Sequence, residues 1–172
     1  MDFTKVDPRD FELLVGLLFA KQGFQLTKLP MEGVDLGPDF EAVSPDSVHT
    51  YVEVKRHLAP LPVSLVKQFA FDMGRFRSQR PGAKGIIVTS GPVSGLAGDL
   101  AKQQDIVLID GDQIRHLLLK HPAVLASFEA ARSDKAAFAA AFSSLLSGGS
   151  GQRRAVRNRC LPVYANGNDR LS

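Results

Sequence analysis

Two short stretches of alternating apolar and polar residues, joined by a turn cluster, constrain this chain more than any other feature. They are Gly37-Pro38-Asp39-Phe40-Glu41-Ala42-Val43 and Tyr51-Val52-Glu53-Val54-Lys55, with Ser44-Pro45-Asp46-Ser47 between them. Alternation with β-branched and aromatic residues reads as strand, and Ser, Pro and Asp close hairpins. A strand sends the side chains of i and i+2 to one face. Glu53 and Lys55 therefore stand side by side, while Val52 and Val54 point to the opposite face, toward a core. Pairing the two strands brings Asp39 near the Glu-Lys pair. Two carboxylates and an ammonium then converge at one sheet edge.

Such a set suits metal-assisted hydrolysis of a phosphodiester. Mg²⁺ favours carboxylate, carbonyl and water oxygens, polarises a phosphoryl oxygen and lowers the pKa of a bound water. A neighbouring lysine can orient or deprotonate the attacking water, or neutralise charge as it builds. The same three residues also fit a surface hairpin held by a cross-strand salt bridge. The spacing alone, with 13 residues between Asp39 and Glu53, leaves both readings open.

Further motifs narrow the choice. Pro38-Asp39 with Glu53-Val54-Lys55 resembles the PD…(D/E)xK signature of the restriction-endonuclease-like nuclease superfamily. Over roughly residues 8 to 119 the chain is similar to the Mrr-type catalytic domain and to Holliday-junction resolvases. The residues that carry this are Phe11-Glu12, Gly23-Phe24, Gly33, Asp35, Gly37, Asp39 and Val52-Glu53-Val54-Lys55-Arg56. Gly85-Ile86-Ile87-Val88-Thr89-Ser90 and Ile109-Asp110-Gly111-Asp112 continue it. The family often carries Gln where Glu53 stands, and Glu keeps the acidic ligand. The resemblance implies Asp39 and Glu53 as ligands of Mg²⁺, with Mn²⁺ as a substitute. It implies Lys55 as the catalytic lysine and Glu12, reaching in from the first helix, as an auxiliary acid. An ordinary first-turn glutamate explains Glu12 equally well. Gln68 falls where some relatives carry Gln-x-x-x-Tyr, but Asp72 follows it here, so that signature is absent.

The remaining elements follow in order. Asp7 caps a helix opened by Pro8, with Phe11, Leu14, Val15, Leu18 and Phe19 on its buried face and Gly23 at its end. Phe24 to Leu29 is the first strand. Glu41 shares the Asp39 face and is expected to meet solvent, as is His57. A helix from about Val63 to Ser78 buries Val66, Phe69, Ala70 and Met73. Gly85 to Thr89 reads as a central buried strand. Ser90 is expected to cap a helix ending near Gln103, Ile106 to Ile109 is the last strand, and Gln113 to Leu119 a short helix. This order predicts an α/β fold, a restriction-endonuclease-like three-layer sandwich whose mixed sheet joins an antiparallel meander to parallel strands. Residues 1–121 form the nuclease-like domain, 122–146 a helical appendage, and 147–172 a flexible basic tail.

Charge is unevenly spread. Residues 1–54 hold 4 Lys/Arg against 10 Asp/Glu, and residues 55–84 hold 7 against 1. An acidic cluster suited to a cation thus abuts a basic segment suited to phosphates. Arg56, Arg75, Arg77, Arg80 and Lys84 are the candidate DNA contacts, against the plainer reading of a solvated helix face. The single Cys160 excludes an internal disulfide and a cysteine-rich zinc site. The run from Leu13 to Ala20 is too short for a bilayer, and the first residues carry no signal-peptide pattern, so a cytoplasmic protein without membrane contact is expected. DNA is the expected partner, and a homodimer would supply two sites for two strands. The sequence reads as a metal-dependent DNA endonuclease. The rivals are a DNA-binding or assembly module on the same fold that does not cut, and a structure-specific nuclease of the junction-resolving kind.

Overall fold

A computed structural model of the chain describes residues 1–28, 38–134, 136, 137, 140, 141, 143 and 144. The expectations for Gly33, Asp35, Gly37 and the basic tail lie outside the described residues. After a 3₁₀ turn at Phe3–Lys5, the elements are α1 (Pro8–Lys21), β1 (Gln25–Lys28), β2 (Phe40–Val43), β3 (His49–Lys55), α2 (Val63–Gln79) and β4 (Lys84–Thr89). They continue with α3 (Gly95–Gln103), β5 (Ile106–Ile109), α4 (Gly111–Lys120) and α5 (Pro122–Arg132).

The five strands form one sheet in chain order, β1-β2-β3-β4-β5. β1 to β3 are antiparallel, and β4 and β5 add in parallel through the crossovers that carry α2 and α3. Period-two alternation divides the sheet between two cores. Phe40, Ala42, Val52, Val54, Ile86, Val88 and Ile109 face α1, α4 and α5. Tyr51, Ile87 and Ile106 face α2 and α3. Helices therefore cover both faces, and the architecture is a three-layer α/β sandwich. Phe128 of α5 is fully buried in the same core as Phe11 and Leu14 of α1.

Local rules place the helix ends. Asp7 accepts from Arg9 N–H at 2.9 Å and caps α1. Gly23 follows its last turn at φ +87°, a left-handed conformation that glycine adopts without a Cβ penalty. Asp110 and Gln113 form a reciprocal capping box that starts α4 at Gly111, two residues before the sequence places it. Ser90 is not the cap of α3. Ser94 takes that role, accepting from Ala97 N–H, while the Ser90 hydroxyl donates to the His57 carbonyl. The start shifts because Pro92 and Val93 are held extended: Leu61 N–H donates to the Pro92 carbonyl, and Leu61 pairs with Val93 in parallel. No helix among the described residues is long and apolar enough to cross a membrane.

Candidate active site

The last regular pair between β2 and β3 is Phe40 with Val52. Beyond it Asp39 bends out of the strand, so it stands just before β2 rather than inside it. The ladder bond lost by that bend is replaced by a side chain: the Asp39 carboxylate accepts from Val54 N–H at 2.7 Å. This fixes Asp39 beside the end of β3, where Glu53 and Lys55 share a face. The Lys55 ammonium lies 2.6 Å from Glu53 Oε1 and 3.7 Å from Asp39 Oδ2. The side chains of Asp39 and Glu53 are 21% and 18% exposed, so the acids are mostly removed from water yet still reachable.

Burial raises the pKa of both acids from their ordinary values. For Asp39 the Val54 hydrogen bond and Lys55 oppose the rise. For Glu53 the Asp39 charge adds to it, and the Lys55 hydrogen bond and charge oppose it. Glu12 of α1 joins this group from the opposite helix layer. Its pKa is pushed up to about 7, first by burial and then by the charge of Asp39, with Lys55 pulling the other way. Burial pushes the Lys55 ammonium down, but the Glu53 hydrogen bond and the charges of Asp39, Glu53 and Glu12 outweigh it and hold its pKa above the usual lysine value. Lys55 is thus a fixed cation at neutral pH, supplying one positive charge among three carboxyl groups.

That imbalance is what a bound cation would relieve. Among the described residues no three or more His, Cys, Asp or Glu side chains are grouped to chelate an ion. Asp39 and Glu53 are two hard oxygen donors on one rim, which suits Mg²⁺, an ion that keeps several of its waters. The donor set fits.

The candidate DNA contacts fall in two places. Arg56 follows Lys55 at the end of β3, and its Nε is buried without a hydrogen-bond partner. Lys84 pairs with Thr50 at the other end of β3 and β4, five residue pairs from Lys55. Arg77 donates to the carbonyls of Ala83, Gln104 and Asp105, and Lys84 lies 2.7 Å from Asp105 Oδ2. Arg80 is 3.5 Å from Glu41, which faces this guanidinium rather than open solvent. Arg75 lies 4.0 Å from Asp72 one turn earlier on α2. The structure does not bring Arg77, Arg80 or Lys84 to Asp39, Glu53 and Lys55. At the site's own end of the sheet, His57, Leu58, Ser90, Pro92, Asp112 and Arg115 border a cleft; the sequence leaves His57 to solvent and Ser90 to a helix cap, and assigns Arg115 no role. The cleft's signal was available in outline, since these residues all follow the carboxyl ends of parallel strands.

Residues 3–118 match the family model of the Mrr catalytic domain, described as restriction endonuclease. A comparison with curated proteins finds no match. Among solved structures, the chain is similar to the MspJI restriction endonuclease in complex with a 27-mer oligonucleotide, with a TM-score of 0.50 and 20% identity, covering 67% of this chain and 28% of that one. It is also similar to a repair endonuclease from Pyrococcus abyssi, with a TM-score of 0.46 and 18% identity over 56% of this chain and 44% of that one. A third is EndoMS in complex with double-stranded DNA, with a TM-score of 0.47 and 16% identity over 64% and 48%. The chain spans less than half the length of each of these proteins. The match covers most of the chain and contains Glu12, Asp39, Glu53, Lys55, the mixed sheet, α1 to α3 and most of α4. The chain belongs to the restriction endonuclease family defined by the Mrr catalytic domain.

Proposed function

We propose that this domain hydrolyses phosphodiester bonds of DNA with Asp39, Glu53 and Lys55 as its catalytic residues. The observation that carries the reading is the Lys55 ammonium, 2.6 Å from Glu53 and 3.7 Å from Asp39 on a partly open rim. Asp39 and Glu53 would hold Mg²⁺, or Mn²⁺ in its place. When bound, the ion supplies Lewis-acid polarisation of the scissile phosphate and a water of lowered pKa. Asp39 is held in place for this by Val54 N–H. Glu53 and Lys55 are fixed on one strand face, which leaves little reorganisation for the moment of reaction.

Lys55 acts by charge. Its pKa is raised by the surrounding acids, so it stays protonated at neutral pH and stabilises negative charge growing on the phosphoryl oxygens. Glu12, poised near neutrality, can give or take a proton on the side facing α1. MspJI, whose fold this chain shares, is seen in complex with a 27-mer oligonucleotide, which favours a nucleic acid as the substrate here. The described residues bring together one such cluster. Cutting both strands of a duplex by this domain therefore calls for two copies, in keeping with a homodimer.

The test is a cleavage assay on supercoiled plasmid and synthetic duplex with Mg²⁺, Mn²⁺ or EDTA. Nicked or linear product with either metal and none in EDTA is expected. Intact DNA under every condition, from a protein that still binds it, would establish a non-cleaving DNA-binding module instead.

A further inference from the structure

A cleft of about 220 Å³ opens at the carboxyl ends of the three parallel strands β3, β4 and β5. In open α/β sheets this is the place where ligands bind. Its walls come from the segments that leave each strand: His57 and Leu58 after β3, Gly91 and Pro92 after β4, and Asp112 and Arg115 at the start of α4.

The cleft is preformed. A Cβ on Gly91 would lie 2.6 Å from the Ala59 carbonyl and 2.9 Å from that of His57, so glycine alone lets these main chains touch. The Ser90 hydroxyl donates to the His57 carbonyl at 2.9 Å, which ties the first wall to the second. Arg115 is fixed from two sides. Its guanidinium lies 4.9 Å from the Phe3 ring centroid and donates to Asp112 at 2.6 Å. A guanidinium set against the Phe3 ring, its side chain 45% exposed, therefore lines the cavity.

The lining chooses among ligands. A phosphate would find Arg115 already paired with Asp112, and the Asp110 carboxylate also on the wall. A neutral planar ring with donors and acceptors on its edge meets no such opposition. Unstacked bases are bound in this way, on aromatic or arginine planes with polar groups at their edges. At the rim stands Leu58, an apolar side chain left 66% exposed. Apolar side chains of this kind fill the gap that an unstacked base leaves in a helix.

We propose that this cleft takes one unstacked base of the DNA strand beside the cut, with Arg115 as the platform and Leu58 in the vacated step. The inference rests on the nuclease reading above, because it sets the position of the base from Lys55. Leu58 is three residues from Lys55, a reach of at most about 10 Å of chain. At about 3.4 Å per nucleotide along a strand, the base lies within about three nucleotides of the cut phosphate.

The experiment uses the full chain and duplexes carrying 2-aminopurine at single positions around the mapped cut, with EDTA to keep the strand whole. This base is dim when stacked and bright when unstacked. A severalfold rise at one position within that window is expected for the wild type. Arg115→Met keeps the apolar stem on Phe3, so it should bind by anisotropy as before and lose the rise. Should Arg115→Met fail to fold by circular dichroism, Leu58→Ala carries the test at an exposed site. A wild-type rise retained by Leu58→Ala, or no rise at any position in a complex that anisotropy reports as formed, overturns the proposal. Failure of the nuclease reading has its own mark, which is uncut DNA with both metals whatever the fluorescence does.

Discussion

The carboxylate of Asp39 accepts a 2.7 Å hydrogen bond from the main-chain N–H of Val54. One acid thus does two things, closing the end of the β2–β3 ladder and facing the Lys55 ammonium. The two roles separate by substitution. Asp39→Asn keeps an oxygen for Val54 N–H and removes a charge that burial disfavours, so its urea midpoint should match the wild type. Asp39→Ala orphans that N–H and should cost about 1–3 kcal/mol. Both variants should lose cleavage. Calorimetry decides the metal assignment, and Mn²⁺ binding to Asp39→Asn as tight as to the wild type would remove Asp39 from the ligand set.

Lys55 offers a test of catalysis against binding. A group that acts only in the transition state lowers rate with little effect on substrate affinity. Lys55→Met keeps the aliphatic stem and removes the charge. It should bind DNA nearly normally and cut about 10²–10³-fold more slowly, a loss of roughly 3–4 kcal/mol of transition-state stabilisation. Single-turnover rates with a binding isotherm measure both quantities. Lost binding in Lys55→Met, beside a wild type that binds but never cuts, would make Lys55 a phosphate contact only.

Much of this was legible in the chain. Alternation in Tyr51-Val52-Glu53-Val54-Lys55 placed Glu53 and Lys55 on one face, and the structure gives them a 2.6 Å contact. The order of periodicities gave the mixed sheet, because parallel neighbours need helical crossovers. What stayed hidden depends on partners far away in sequence. Arg77 reads as part of a basic run, yet its guanidinium is spent on the carbonyls of Gln104 and Asp105, which have no side-chain signature. Ser90 reads as a cap next to Gly91-Pro92, but a parallel bridge from Leu61 to Val93 holds that segment extended. Asp39 reads as a strand residue, and only its bond to Val54 shows why the strand starts one residue later.

The basic residues divide by location, and this yields a contrast. Arg77 anchors the junction between α3 and β5 through the carbonyls of Gln104 and Asp105, and the approach to β4 through that of Ala83. Arg77→Ala should lower stability by about 1.5–3 kcal/mol, the range for bonds from a charged donor. It should leave the salt dependence of DNA binding unchanged. Arg56 follows Lys55 directly, with its Nε lacking a partner. Arg56→Ala should reduce the slope of log affinity against log salt by about 0.9, as for one lost phosphate contact on duplex DNA. The reverse pattern in a salt titration would move the phosphate track to the far end of the sheet.

Glu12 makes the fold sensitive to pH in a direction set by burial. Its pKa rises from 4.5 in the unfolded chain to about 7 in the fold, chiefly through desolvation and then through the Asp39 charge. A carboxyl group with a raised pKa binds its proton more tightly when folded. Folding therefore takes up protons in this window, and stability falls as pH rises. The contribution is fully present below about 4.5 and is lost as pH climbs through about 7. Glu12→Gln fixes the neutral form and should match the wild type at the acid end. Its stability advantage should grow across the window and level off above it. Urea midpoints on both sides of the window measure this, and an advantage that is flat with pH would sink the assignment. In an Asp39→Asn background the Coulombic part of the rise disappears, so the window should narrow from its upper edge while the burial part remains.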